Sequence, residues 1–303
     1  MKAGGTSRPV SPGETKAMPG APFRTEQSAF LRHPAFVLRH FLWLVLALVM
    51  LYPLLWTVVS SMKGSNVEIF EHPFAFPKQI NWANYQKAIH EGNMGGYFIN
   101  SLWVTVLSAG LVVVLGVWGG FALSKTRFPF QRLWLALFFI GMILPVQAYL
   151  IPLIDLLQAL GIHDSLWALI FPYTAQTLPL AVLLLAAYFR SLPVELEEAA
   201  RLDGVRTGRF YFSILLPVAR PAIGTVVVIS CLNTWNEFLM ALLFIVDPRL
   251  KTLPVGMITF EQAHNTDYPA LLAGLALISV PTLLAYALFN KQVIRGVVAG
   301  TVK

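Results

Sequence analysis

The sequence is poor in charge. Only 12% of its 303 residues are Asp, Glu, Lys or Arg, about half the share in a soluble domain, too few to clothe a water-facing surface of this size. It holds one cysteine, Cys231, which excludes an intrachain disulfide and a multi-cysteine metal site. It lacks a phosphate-cradling loop. The nearest approach, Gly119-Gly120-Phe121-Ala122-Leu123-Ser124-Lys125-Thr126, puts Ser124 where the second glycine must stand. That stretch reads as a helix end with Lys125 and Arg127 at the lipid interface, so the chain carries no ATP site of its own. The six histidines (His33, His40, His72, His90, His163, His264) are scattered with no zinc spacing, and there is no G-x-S-x-G elbow. Neither a metal nor another cofactor is expected on this chain.

What fills the sequence instead is apolar: 56% of residues are hydrophobic, which excludes a disordered chain. Six stretches of about 20 residues are long enough to cross a bilayer: Phe41–Ser60, Leu102–Leu123, Leu133–Ile151, Leu166–Phe189, Ala222–Ile245 and Leu271–Phe289. The third is the weakest, interrupted by Pro145 and followed by Pro152. Lys and Arg then set the orientation. The N-terminal segment, the second and fourth loops and the C-terminal tail hold 17 of them, and the opposite loops hold five. That asymmetry is the positive-inside pattern and predicts both termini in the cytoplasm. The net charge of +7 is thereby a topology signal, and nucleic acid is not an expected partner.

The expectation is thus an all-α, polytopic membrane protein with three parts. Residues 1–36 form a disordered cytoplasmic tail, 37–289 the transmembrane domain, and 290–303 a cytoplasmic C-terminal tail. The outer segment from Met62 to Gly96 reads as a loop with short amphipathic pieces around Trp82–His90. One acid lies within a span: Glu237, in Thr234-Trp235-Asn236-Glu237-Phe238. A carboxylate in hydrocarbon must face a bundle interior or a wet cavity. Two readings stay open. Trp235, Asn236 and Glu237 line a path for a polar substrate, or Glu237 forms a structural clasp with Asn236 and Trp235.

The inside loop 190–221 carries the clearest signal. In Leu192-Pro193-Val194-Glu195-Leu196-Glu197-Glu198-Ala199-Ala200-Arg201-Leu202-Asp203-Gly204, Pro193 suits a helix start. Acids follow near the positive helix end, and Glu197 and Arg201 are spaced to pair. Gly204 suits the left-handed residue that ends a helix. A second helical stretch follows to about Leu216, where Pro217 stops it. The loop is either an interfacial helix on lipid or a knob for a partner's groove.

Glu198-Ala199-Ala200, three residues, Gly204, nine residues, Ile214, one residue, Leu216-Pro217 resembles the EAA motif of ABC importer permeases at every fixed position. Asn81-Trp82-Ala83-Asn84-Tyr85, Asn100-Ser101 and Trp235-Asn236-Glu237-Phe238 resemble the carbohydrate-uptake, MalG-like type. The resemblance implies a MetI-like fold and a non-catalytic plasma-membrane subunit of an importer for a sugar or oligosaccharide. It also implies a second, related permease, two cytoplasmic ATPase subunits that bind ATP and Mg, and an extracytoplasmic solute-binding protein. By resemblance, Glu198 pairs with the ATPase and Gly204 permits the turn behind it. Asp203 and Arg201 order the loop, and Ala199 and Ala200 allow close packing ahead of Leu216 and Pro217. Arg295 and Gly296 in the tail reach the ATPases. The alternatives are a polyol or glycerol-phosphate permease of the same kind, an ion-coupled secondary carrier, or an intramembrane enzyme using Glu237.

Overall fold

The computed structural model describes residues 34–126, 128–260 and 266–301. Most of the predicted disordered tail, residues 1–33, lies outside them, as does Arg127. The chain divides at Tyr52/Pro53 into two units. The described residues are helical, with no strand. In chain order the helices are α1 Pro34–Ser61, α2 Asn66–Glu71, α3 Ala83–His90, α4 Met94–Lys125, α5 Gln131–Ile143, α6 Leu150–Ala159, α7 Trp167–Ser191, α8 Val194–Leu202, α9 Thr207–Phe210, α10 Leu216–Val218, α11 Arg220–Trp235, α12 Leu239–Phe244, α13 Leu253–Gly256 and α14 Tyr268–Thr301.

Among the described residues, three helices are long and apolar enough to cross a membrane alone: α1, α4 and α7. Two expected spans are instead broken. The third divides into α5 and α6 around Pro145, whose predecessor Leu144 is extended (φ −67°, ψ 117°). Proline forces that conformation on the residue before it, so the helix must end there. Pro152 does no such damage, because it falls in the first turn of α6, where no helix carbonyl awaits its missing N–H. The fifth expected span stops at Trp235 and restarts at Leu239.

The core is built on α4, α7 and α11. Lipid tails give apolar helices no hydrophobic reason to associate, so close backbone approach through small residues must hold them. Gly116, Gly119 and Gly120 of α4 supply it against Ala181, Val182, Leu185 and Ala186 of α7. A Cβ on Gly120 would stand 2.8 Å from Leu185 Cβ and 3.1 Å from the Ala186 backbone nitrogen. The glycines that resemble a broken phosphate loop are therefore packing residues.

The other end of the bundle is tied by polar side chains. Asn100 donates to the carbonyls of Arg249 and Lys251 (2.8 and 3.0 Å). Ser101 accepts from the Leu253 amide at 2.8 Å. Asn84, in α3, donates to Ser61 and Lys63 carbonyls (2.7 and 2.8 Å). Lys63, fully buried, donates from Nζ to the carbonyls of His72 and Pro73 (2.7 and 3.3 Å). Asp164, with a left-handed φ of 57°, accepts from the amides of Val246 and Asp247 (2.8 and 2.9 Å) and so joins two loops.

Candidate functional site

α8 is a nine-residue helix whose start and stop follow from sequence. Pro193 stands immediately before it as the N-cap. At its other end Gly204 adopts φ +69°. There the Asp203, Gly204 and Val205 amides donate to the carbonyls of Ala199, Arg201 and Ala200 (3.0, 3.0 and 2.9 Å). Those bonds satisfy carbonyls the helix end would otherwise leave open.

The two faces of α8 differ. Ala200 is buried and packs in a cluster with Phe189, Phe210, Tyr211 and Leu215. Glu197 is held from two directions. Arg201 Nη2 lies 2.9 Å from its Oε1, and Lys125 Nζ 3.6 Å from its Oε2. The Lys125 side chain is only 11% exposed. Lys125 thus does not lie at the lipid interface as expected; the nearby carboxylate draws it inward. The adjoining turn of α4 is held as firmly. The Leu123 carbonyl accepts from Arg190 Nη2 of α7 (2.8 Å) and Gln131 Nε2 of α5 (2.7 Å). So α8, α4, α5 and α7 meet within a few residues. A cavity of about 220 Å³ lies in this joint, lined by Phe121, Lys125, Glu197, Arg201 and Thr207 among others.

The opposite face of α8 is open. Val194, Glu195, Glu198, Ala199, Leu202, Asp203 and Gly204 are exposed. Glu198 forms no ion pair among the described residues. Leu202 is 89% exposed. Leu202 is one of the apolar positions that so short a helix cannot bury by itself, and it stands just before the glycine turn. Arg201 pairs with Glu197 within α8, and Asp203 enters the turn through its backbone amide.

After Gly204 the chain departs from expectation. α9 passes into a π-helical turn, Tyr211–Leu215, and then α10. Pro217 does not stop this stretch; it lies in the first turn of α10. A proline clashes with the carbonyl four residues back, and a preceding π turn shifts that carbonyl away. The chain bends two residues later, at Ala219, where the α9–α10 stretch and α11 lie 71° apart. Tyr188 of α7 donates to the Val218 carbonyl at the bend (3.0 Å).

The Trp235-Asn236-Glu237 group splits. Glu237 accepts from the Tyr173 hydroxyl (2.5 Å) and from the amides of Met240 and Ala241 (2.9 and 3.2 Å). Its carboxylate thus serves the first amides of α12, which lack partners within that helix. Its clasp partners are these, not Asn236 and Trp235. Trp235 is buried edge-on against Phe98, with ring centroids 5.5 Å apart. Asn236 is exposed; it donates to the Leu232 carbonyl (2.8 Å) and accepts from Thr282 of α14 (3.4 Å). The side chain of Arg295 and the surroundings of Gly296 lie outside the described residues. No group of three or more His, Cys, Asp or Glu is arranged to hold a metal among the described residues.

A family model described as "Binding-protein-dependent transport system inner membrane component" matches residues 112–295, the span that holds α8, its joint with α4 and the Glu237 junction. The chain belongs to this family. The permease is 38% identical over 252 residues to the probable ABC transporter permease protein YurM of Bacillus subtilis (strain 168), with 83% of each chain covered. It is 34% identical over 264 residues to the diacetylchitobiose uptake system permease protein NgcG of Streptomyces coelicolor, covering 86% of this chain and 87% of that one. Its structure is similar to a chain of a bacterial ABC transporter involved in the import of the acidic polysaccharide alginate. There the TM-score is 0.73 at 20% identity, covering 89% of this chain and 99% of the other. At that identity the likeness is one of fold, and the fold is the MetI-like permease arrangement. The permease is a non-catalytic membrane subunit of an ABC importer, which works with an ATPase and a solute-binding protein.

Proposed function

We propose that the permease carries a carbohydrate, a sugar or oligosaccharide, into the cell, and that α8 is the element through which the ATPase drives it. The cargo class rests on relatives such as the diacetylchitobiose permease. The single observation that supports the coupling role is the two-sided character of α8. One face is locked to α4 through Glu197 and Lys125; the other presents Glu198, Ala199 and Leu202 unpartnered. The outer face mixes exposed apolar residues, Val194 and Leu202, with the carboxylates of Glu195 and Glu198, a composition that suits a groove with a cationic wall better than lipid alone. Glu198 is the carboxylate for a cationic groove, and Gly204 sets the turn that lets α8 protrude. Leu216 and Pro217 place the bend that returns the chain to the bundle, and Arg295 and Gly296 supply a second contact from the tail.

In this reading six crossings form from α1, α4, the α5–α6 pair, α7, the α11–α12 pair and α14, with both termini in the cytoplasm. The disordered segment is 1–36, the transmembrane domain 37–289 and the tail 290–303. A second, related permease completes the path. ATP binding closes the two ATPases, moves both coupling helices together and rocks the bundles between inward-open and outward-open states. Of the residues expected at the path, Asn236 is the one that is exposed; Trp235 packs on Phe98 and Glu237 holds Tyr173 and the start of α12.

The test is Glu198→Ala in the assembled pump. Uptake is expected to fall at least tenfold while the permease still inserts in the membrane, and co-purification of the ATPase is expected to weaken. Full ATP-driven uptake by that variant would refute the role of Glu198.

A further inference from the structure

Polar groups buried in protein find partners; polar groups exposed on a membrane helix must find water, a partner or cargo. At the end of α11, Thr234 and Trp235 are buried, while Asn233 and Asn236, the residue that caps the helix, are exposed. Three residues apart, the two carboxamides share one side of the helix. Asn233 makes no hydrogen bond to any described residue, and Asn236 uses only one donor and one acceptor. Asn236 lies about 24 Å of helix rise from Arg220, and its neighbour Thr282 about 21 Å from the start of α14, at 1.5 Å per residue. Both ends of the contact are thus well inside the apolar part of the chain.

Asn236 also stands on the wall of a hollow of about 320 Å³, otherwise lined by Phe238, Met257, Ile258, Leu271 and neighbours. Its volume is at the small end of the range for ligand pockets. Phe238 is exposed and offers a flat apolar surface beside the carboxamide. Trp235, which packs with Met257 and Leu271 of the same wall, holds an indole N–H that is buried without an acceptor among the described residues. Glu237 is turned away, with both oxygens engaged by Tyr173 and the α12 amides.

We propose that Asn233, Asn236 and Phe238 form a cargo subsite on this subunit for a neutral polyhydroxylated molecule. The inference rests on the carbohydrate-import reading and deepens it. A carboxamide donates and accepts at once, as a hydroxyl does, so two of them match the edge of a sugar ring. The aromatic face takes the ring's C–H side. No ionised group of the subsite is free, so a charged cargo gains nothing there.

The test uses the assembled pump in proteoliposomes, in a Cys231→Ala background that removes the single cysteine. Asn233→Cys, Asn236→Cys and, as an exposed apolar control on α4, Val106→Cys are treated with a charged, membrane-impermeant methanethiosulfonate. Both path cysteines are expected to react at least tenfold faster than the control. In parallel, Asn236→Leu is expected to raise the KM for ATP-driven uptake of labelled trehalose or raffinose at least tenfold, with ATPase co-purification unchanged and Asn236→Gln largely restoring it. Labelling at the control rate, or an unchanged KM in Asn236→Leu, overturns the subsite. A pump that accumulates neither sugar counts against the carbohydrate reading, while labelling still decides the subsite.

Discussion

Replacing Gly120 by alanine adds one methyl group where the structure has no room for it. Its Cβ would lie 2.8 Å from Leu185 Cβ and 3.1 Å from the Ala186 backbone nitrogen, against an ordinary contact of 3.4–4 Å. Because the obstacle is Cβ and backbone rather than a flexible side-chain end, no rotamer change relieves it, and α4 and α7 must move apart. Overpacking of this kind costs about 1–3 kcal/mol. The same substitution gains roughly 1 kcal/mol in helix propensity, which would blur the result. Gly110→Ala, with nothing within 4 Å of its Cβ, gains that term without the clash, so the difference between the two variants isolates the contact. At about 2–4 °C per kcal/mol for a chain of this size, Gly120→Ala should melt about 2–12 °C below Gly110→Ala in detergent. The neighbouring site sharpens the test. A Cβ on Gly119 would meet Val182 Cγ2 at 2.9 Å, a methyl group that Val182→Ala removes. Val182→Ala should therefore rescue Gly119→Ala, whereas Leu185→Ala, which keeps its Cβ, should not rescue Gly120→Ala. Equal melting of Gly120→Ala and Gly110→Ala would refute the close-packed α4–α7 seam.

Two further outcomes follow from the polar contacts. Lys125→Met strips Glu197 of its largely buried partner, and losing one member of such a pair should cost about 1–3 kcal/mol; thermal melting of Lys125→Met alongside Lys125→Met/Glu197→Leu checks it, the apolar pair being expected to recover most of the loss. The Glu68 carboxyl is held below its usual range chiefly by the Gly64 amide, with desolvation opposing and the Lys78 amide assisting. Its folded form thus binds a proton less readily than the unfolded chain. The stabilisation is complete above the ordinary glutamate value, about 4.3, and is lost as pH falls below it. Amide exchange around residues 64–78 should accelerate selectively at low pH, and Glu68→Gln should abolish that dependence.

The α8 helix was readable residue by residue because each of its signals is local. Proline before the first turn, an i,i+4 pair and a glycine after the last turn act within one or two helical turns. The six apolar runs were readable as length and hydropathy, but continuity was not. Pro145 breaks a helix while Pro152, Pro172 and Pro179 sit inside helices, and only the surroundings of each proline decide which. Asn84, Asn100 and Ser101 matched a family pattern without showing why. Their partners, Ser61, Lys63, Arg249, Lys251 and Leu253, lie about 20 to 150 residues away, beyond any local rule. Lys125 was misplaced for the same reason: its partner Glu197 is 72 positions further on.

Glu197 and Glu198 show how one short helix can serve two bodies. Successive residues of an α-helix point about 100° apart, so adjacent carboxylates leave the helix in different directions. Glu197 turns toward α4 and is held by Lys125 and Arg201; Glu198 is exposed and has no ion pair among the described residues. In the proposed coupling role, a force applied at Glu198 would reach α4 through the Glu197 side-chain contacts as well as α7 through the backbone. The joint at Leu123, which gathers Arg190 and Gln131 on one carbonyl, passes it on to α5. If α8 were fastened by its backbone alone, its neighbours could stay still while it swung. In the coupling role proposed for α8, the joint would make a tilt of α8 pull on the ends of α4, α5 and α7, and the glycine seam would carry that pull along α4 and α7 together.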